Sequence, residues 1–67
     1  MFIRDRIDDA LASNRISANV RGILIDFRSR ERSAHHGNHF RISDLMILAN
    51  ERREIENRLI AAYPEFA

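Results

Sequence analysis

The chain contains no cysteine among its 67 residues. Disulfides and thiolate zinc sites, which commonly stabilise small domains, are therefore excluded. A chain this short forms one domain at most and buries a smaller share of its surface than a typical domain. Its stability must then come from efficient helix packing, from association, or from a histidine metal site.

Long hydrophobic runs and low-complexity linkers are also missing. No apolar stretch approaches the length of a membrane span. The N-terminal segment MFIRDRIDDALAS has acids early and no long apolar core, so it resembles neither a secretory signal nor a typical transit peptide. The hydrophobic fraction of 45% is too high for a disordered chain. We therefore expect a folded cytoplasmic protein without a membrane partner.

Lysine is absent as well, so all eleven basic residues are arginine. The planar guanidinium group makes bidentate bonds to carboxylates and phosphates, although a GC-rich genome would give the same bias. The net charge is only +1. This balance does not indicate binding to nucleic acid over the whole surface.

Apolar residues at helical spacing predict an all-α fold, a helical hairpin or a three-helix unit, in a single domain over residues 1–67. Ser17 and Ser43 are the expected N-caps of two helices, and Gly37 is expected just past the end of the second helix. A strand over residues 20–27 is the alternative, because VRGILIDF is rich in β-branched and aromatic residues. The predicted helices lie near residues 2–12, 17–36 and 43–63, and Pro64 is expected to end the third one.

The third predicted helix has a heptad-like apolar pattern interrupted by one arginine. Ile42 and Ile47 are expected to form a hydrophobic staple around its cap, and Glu54 and Arg58 to pair across one turn.

Two runs, GILI at residues 22–25 and LMILA at residues 45–49, are apolar around more than one face, whereas a helix on a single core needs one stripe. We expect a second copy of the chain to cover them in a dimeric helical bundle, unless the first helix folds over them. The predicted dimer seam consists of Leu45, Leu48, Arg52, Ile55 and Leu59.

The stretch FRSRERSAHHGNHFR at residues 27–41 combines four arginines with all three histidines of the chain. Such a cluster could hold phosphates or the carboxylates of a partner. On a helix Arg28 and Arg32 share a face, whereas Arg30 lies on a different side. The alternative is a solvated face, or salt bridges to acids of the third helix or of a second subunit. The candidate contact residues are Arg28, Arg30, Arg32 and Arg41.

The histidines predict no metal site and no cofactor. His35 and His39 are four residues apart, a spacing that aims both at one ion on a continuous helix. Gly37 lies between them and is expected to end the helix, and no cysteine completes a ligand set. Histidine in a last helical turn interacts favourably with the helix dipole. A pH-sensing role is the alternative.

No motif specifies a reaction, and we do not expect an enzyme. The chain has no nucleophile elbow, no glycine-rich phosphate loop and no thiol, and a domain of this size has little room for a substrate pocket. A helix-turn-helix over the first two helices fits loosely, with Asn19 and Arg21 as the residues that could read bases.

The sequence therefore predicts a non-catalytic protein-interaction module that binds a larger protein, such as a bacterial or phage-type regulator or inhibitor. An arginine-mediated regulator that binds DNA or RNA is the alternative, and a structural assembly subunit is the third possibility.

Overall fold

The computed structural model describes residues 4–36 and 41–67, which form three α-helices and a short 3₁₀ helix. No strand occurs within these two ranges, so residues 20–27 are helical. The all-α class predicted from the sequence is confirmed. In chain order the elements are α1 (Arg6–Ala12), α2 (Ala18–His36), α3 (Ile42–Ala62) and η1 (Pro64–Phe66).

The first helix begins later than predicted, because Asp5 caps it. The Asp5 carboxylate accepts hydrogen bonds from the backbone N–H groups of Ile7 (3.0 Å) and Asp8 (3.2 Å). These bonds satisfy two of the N–H groups that a helix start leaves free. The helix then buries Ile7 and Ala10 completely, at 0% exposure each. The start predicted near residue 2 is thereby corrected to Arg6.

The second helix has the predicted cap. The Ser17 hydroxyl oxygen accepts a hydrogen bond from the Val20 N–H at 3.2 Å, and the Ser17 carbonyl accepts one from the Arg21 N–H at 2.9 Å. The helix buries Leu24 and Phe27 and ends at His36. The glycine expected beyond that end, at position 37, lies outside the described residues.

The third helix begins one residue before the predicted cap. Its N-cap is Arg41 rather than Ser43, and the Asp44 carboxylate accepts the backbone N–H of Arg41 at 3.2 Å. Ile42 is thus the first residue of the helix instead of the residue before the cap. The hydrophobic staple predicted between Ile42 and Ile47 is therefore wrong, and these side chains are 77% and 64% exposed.

The second and third helices are antiparallel. Ser17, before α2, donates its N–H to the Tyr63 hydroxyl at the end of α3 (3.1 Å), while Glu31 in the second half of α2 pairs with Arg52 near the middle of α3. Pro64 ends α3, as predicted, because it has no N–H to continue the helix.

The core joins the three helices to the C-terminal 3₁₀ helix, which packs on α1 and α3. Its last residue, Phe66, is 6% exposed. The buried residues are Ile7, Ala10, Ile16, Leu24, Phe27, Leu59 and Phe66.

Candidate functional site

The arginines predicted as one cluster point in different directions. Arg28 forms an ion pair with Asp8 of α1. Arg30 lies on the other side of α2, where it pairs with Asp26 at 3.2 Å and with Glu51 of α3 at 2.7 Å. Arg30 therefore forms the salt bridge to an acid of the third helix that the alternative named, whereas the partner of Arg28 belongs to the first helix.

Arg28 and Arg32 do share a face, as predicted. They line an open groove of about 320 Å³ between α1 and α2, together with Ser29 and Ser33. Arg32 is exposed, and within the described ranges no carboxylate lies within 4 Å of it. Arg41 lies apart from this groove, at the start of α3.

Arg21, the arginine that a helix-turn-helix would present to DNA, is turned toward α1. Its guanidinium donates to the carbonyl oxygens of Leu11 at 2.9 Å and Ser13 at 2.6 Å. These carbonyls belong to the end of α1, where the helix leaves backbone acceptors without partners. The role of Arg21 in the structure is to close the turn between α1 and α2.

Arg52 forms an ion-pair network that connects all three helices. Its Nε and Nη2 atoms donate to the two carboxylate oxygens of Glu31, at 2.9 and 2.8 Å. Its Nη1 atom lies 3.3 Å from the Asp5 carboxylate and 3.5 Å from that of Glu56. The guanidinium carbon also lies 5.7 Å from the centre of the Phe27 ring, a cation–π distance.

The network shifts the pKa values of Glu31, Asp5 and Arg52. The hydrogen bond from Arg52 lowers the pKa of Glu31 below its ordinary value of 4.5, against the opposing effect of burial. Burial acts to raise the pKa of Asp5, but hydrogen bonds from the Asp8 backbone and from Arg52 outweigh it and hold that pKa below 3.8. The bond to Glu31 raises the pKa of Arg52.

The residues of the predicted dimer seam face the core of their own chain. Leu59 is 4% exposed, and Leu48 and Ile55 are partly buried against the core. Leu45 is also partly buried, and Arg52 is held in the network just described. A second copy that bound along this seam would have to displace α1 and α2.

Among the described residues, five large apolar side chains are at least half exposed. The three on the first two turns of α3 have exposures of 77%, 63% and 64% for Ile42, Met46 and Ile47, and we call them the apolar patch. The half of α2 that runs back toward them, residues 28–36, has Ala34 as its one apolar residue. The sequence thus leaves nothing large and apolar on α2 to cover the patch. The five are Ile23, Ile25, Ile42, Met46 and Ile47.

A second apolar surface lies between α2 and α3, near the other end of the hairpin. It is a groove of about 100 Å³, which we call the hairpin groove. Arg58 is its one polar residue and is exposed. The predicted pair with Glu54 is not formed, and no carboxylate of the described residues lies within 4 Å of Arg58. The groove is lined by Val20, Ile23, Leu24, Ile55, Arg58 and Leu59.

The sequence reasoning missed this groove because its walls come from the flanks of two helices. Ile55 was assigned to the predicted dimer seam, and Arg58 to an ion pair with Glu54. The available indication was Ile23, an isoleucine beside the apolar stripe of α2 and thus at its edge.

Two histidines, His35 and His36, are exposed in the last turn of α2. His39 lies outside the described residues, so the predicted absence of a metal site stays a prediction. Within the ranges that are described, no three potential metal ligands come together. None of the helices described is both long enough and apolar enough to cross a bilayer.

Comparison of the chain with protein-family models, with curated proteins and with solved structures found no match. Its function is therefore inferred from its own residues.

Proposed function

We propose that this chain is a non-catalytic module that binds a larger protein and acts as its regulator or inhibitor. The apolar patch carries the proposal, since Ile42, Met46 and Ile47 expose most of their surface on two adjacent turns. Single exposed aliphatic residues are normal, but grouped ones are typical of interaction surfaces.

The patch contributes little to the fold of its own chain. Full burial of a large aliphatic side chain is worth about 1.5–3 kcal/mol, and these three obtain only a small part of that within the chain. A partner that covers them recovers the remainder. Such side chains act as the central anchors of an interface when they enter a well-packed surface.

The test compares the proteins that three forms of the chain retain from a lysate of the source cells. The patch variant is Met46→Ser with Ile47→Ser, and the matched control is Ala49→Ser with Ala61→Ser, two exposed positions of the same helix. We expect one protein to be retained by the wild type and the control and lost with the patch variant, whose helicity is checked by circular dichroism. Equal retention by the patch variant would overturn the proposal.

A second candidate function is contact with the phosphates of DNA or RNA. It is favoured by the groove in which Arg28 and Arg32 lie together with two serines. The ion pair between Arg28 and Asp8 neutralises part of that charge, and for this reason we place it second.

A homodimer and a cytoplasmic location stay predictions. Because the predicted seam faces inward, a second copy would use the apolar patch and would compete there with the larger protein.

A further inference from the structure

We infer that the hairpin groove binds a part of a protein partner other than the part that covers the apolar patch. One aliphatic side chain of the partner enters the groove, and Arg58 binds the carboxylate of the residue next to it in the partner's sequence. The inference rests on the proposed function in that both require a protein partner. It concerns a different surface from the apolar patch, so the two can fail separately.

The walls of the groove select an apolar occupant. Leu24 and Leu59 form its floor, at 1% and 4% exposure, and Ile23 stands at its rim, at 50%. Five of the six lining side chains are aliphatic and cannot hydrogen-bond to water. An apolar group is therefore favoured there over solvent.

The size of the groove selects an aliphatic side chain over an aromatic one. Its volume is about 100 Å³. An apolar cavity of roughly 150 Å³ is known to hold benzene. The hairpin groove is smaller and open on one side, and its volume suits a valine, leucine or isoleucine side chain better than the ring of phenylalanine.

The charge at the rim selects the neighbouring group. All ten acidic residues of the chain lie in the described ranges, and none of their carboxylates is within 4 Å of Arg58. Other arginines of the hairpin, such as Arg30 and Arg52, already have carboxylate partners. A guanidinium beside an apolar groove pairs well with a carboxylate, to which it can donate two parallel bonds. Phosphate groups are typically bound by several arginines, and the groove has one.

The experiment uses four short peptides as probes and the full chain as receptor. The probes are acetyl-Asp-Leu-Asp-amide and three peptides of the same length in which the leucine becomes phenylalanine, the leucine becomes serine, or both aspartates become lysine. Binding is followed by the shifts of backbone amide signals in ¹⁵N–¹H NMR spectra. We expect the Asp-Leu-Asp peptide to shift the signals of Ile23, Leu24, Ile55 and Leu59, with a Kd on the order of 1 mM.

Two pairs of variants assign the effect to the groove. Ile23→Ala should weaken binding about 5-fold, whereas Ile25→Ala should not, although the two isoleucines are equally exposed, at 50% and 52%. Arg58→Gln should weaken binding of the acidic peptide about 3-fold and remove the preference over the lysine peptide. Arg53→Gln, at an exposed position of the same helix, is the matched control.

Several results would overturn the inference. They are equal binding of the serine or lysine peptide, preferred binding of the phenylalanine peptide, shifts centred on residues 42–47, and no shift at about 10 mM peptide, a concentration well above the expected Kd. If the amide signals of the groove residues shift when the concentration of the chain is raised without peptide, the occupant of the groove is a second copy. This result would also overturn the inference. The lysate comparison tests the apolar patch independently of all these results.

Discussion

Arg52 is the side chain that makes the three helices depend on one another. It reaches the cap of α1 through Asp5, the polar half of α2 through Glu31, and Glu56 one turn along its own helix. Its side chain is 25% exposed, so solvent screens these bonds less than it would at the open surface.

Replacement of Arg52 by glutamine should therefore lower the free energy of unfolding by about 1–3 kcal/mol, because two partly buried carboxylates lose their donor. Arg53→Gln, at the exposed neighbouring position, should change it by less than about 0.5 kcal/mol. Urea unfolding followed by circular dichroism measures both. Equal stability of the two variants would mean that the network does not stabilise the fold.

The same network predicts how stability depends on acid. The pKa values of Glu31 and Asp5 are lowered in the folded chain, from ordinary values of 4.5 and 3.8. Their stabilising effect is therefore fully present above those ordinary values and is lost as the pH falls through the lowered ones. We expect the urea midpoint to fall from about pH 4.5 downward, and to fall less steeply in the Arg52→Gln variant. Parallel curves for the two proteins would contradict this.

At the scale of the helix, the apolar residues of the heptad pattern in α3 lie on one face, and that face packs against the core of its own chain. Leu59 on this face is buried, while Met46 on the opposite side is 63% exposed. Leu59→Ala should cost about 2–5 kcal/mol of unfolding free energy. Met46→Ala should cost less than about 0.5 kcal/mol, because most of this side chain is exposed. The same urea measurement compares the two, and a large loss for Met46→Ala would show that the patch is packed in solution.

The predictions of the helices agree with the structure where neighbouring residues alone determine a helix boundary or face. The serine cap of α2, the stop at Pro64 and the apolar stripes each depend on neighbouring residues alone. The start of α1 was predicted too early, because several residues before Arg6 also suit a helix and only the bonds to Asp5 select the cap. Ser43 was chosen over Arg41 because a side-chain cap is the usual rule, whereas here the Asp44 carboxylate binds back to the cap residue.

The candidate sites were harder to predict, because they depend on how helices face one another. A heptad pattern is the same whether its partner is α2 of the same chain or α3 of another. Likewise, spacing indicated that Arg28 and Arg32 share a face, but not that Asp8 would pair with Arg28. The burial of Phe66 by a turn after the last helix has no periodic pattern from which it could be predicted.

For the molecule as a whole, the exposed patch bears on association. In the isolated protein the described residues leave Met46 and Ile47 63% and 64% exposed. A second copy would cover them, so we expect light scattering at micromolar concentration to give about twice the chain mass of 7.9 kDa. Met46→Ser with Ile47→Ser should give a folded monomer. Leu48→Asp should instead unfold the chain, because it places a charge against the core. If the wild type is a monomer, the dimer prediction is wrong, and the larger protein is then the proposed partner of the apolar patch.

The distribution of charge over the whole molecule separates protein binding from nucleic-acid binding. Five arginines pair with carboxylates of the described residues, and the net charge of +1 leaves only a weak long-range attraction for phosphates. We therefore expect no mobility shift of duplex DNA or structured RNA at about 10 μM protein, even at roughly 50 mM salt. The decisive comparison uses two variants with the same loss of charge, Arg28→Gln with Arg32→Gln and Arg53→Gln with Arg58→Gln. A shift that weakens steeply with salt and disappears only in the first variant would make phosphate contact in the groove between α1 and α2 the better account of what this chain does.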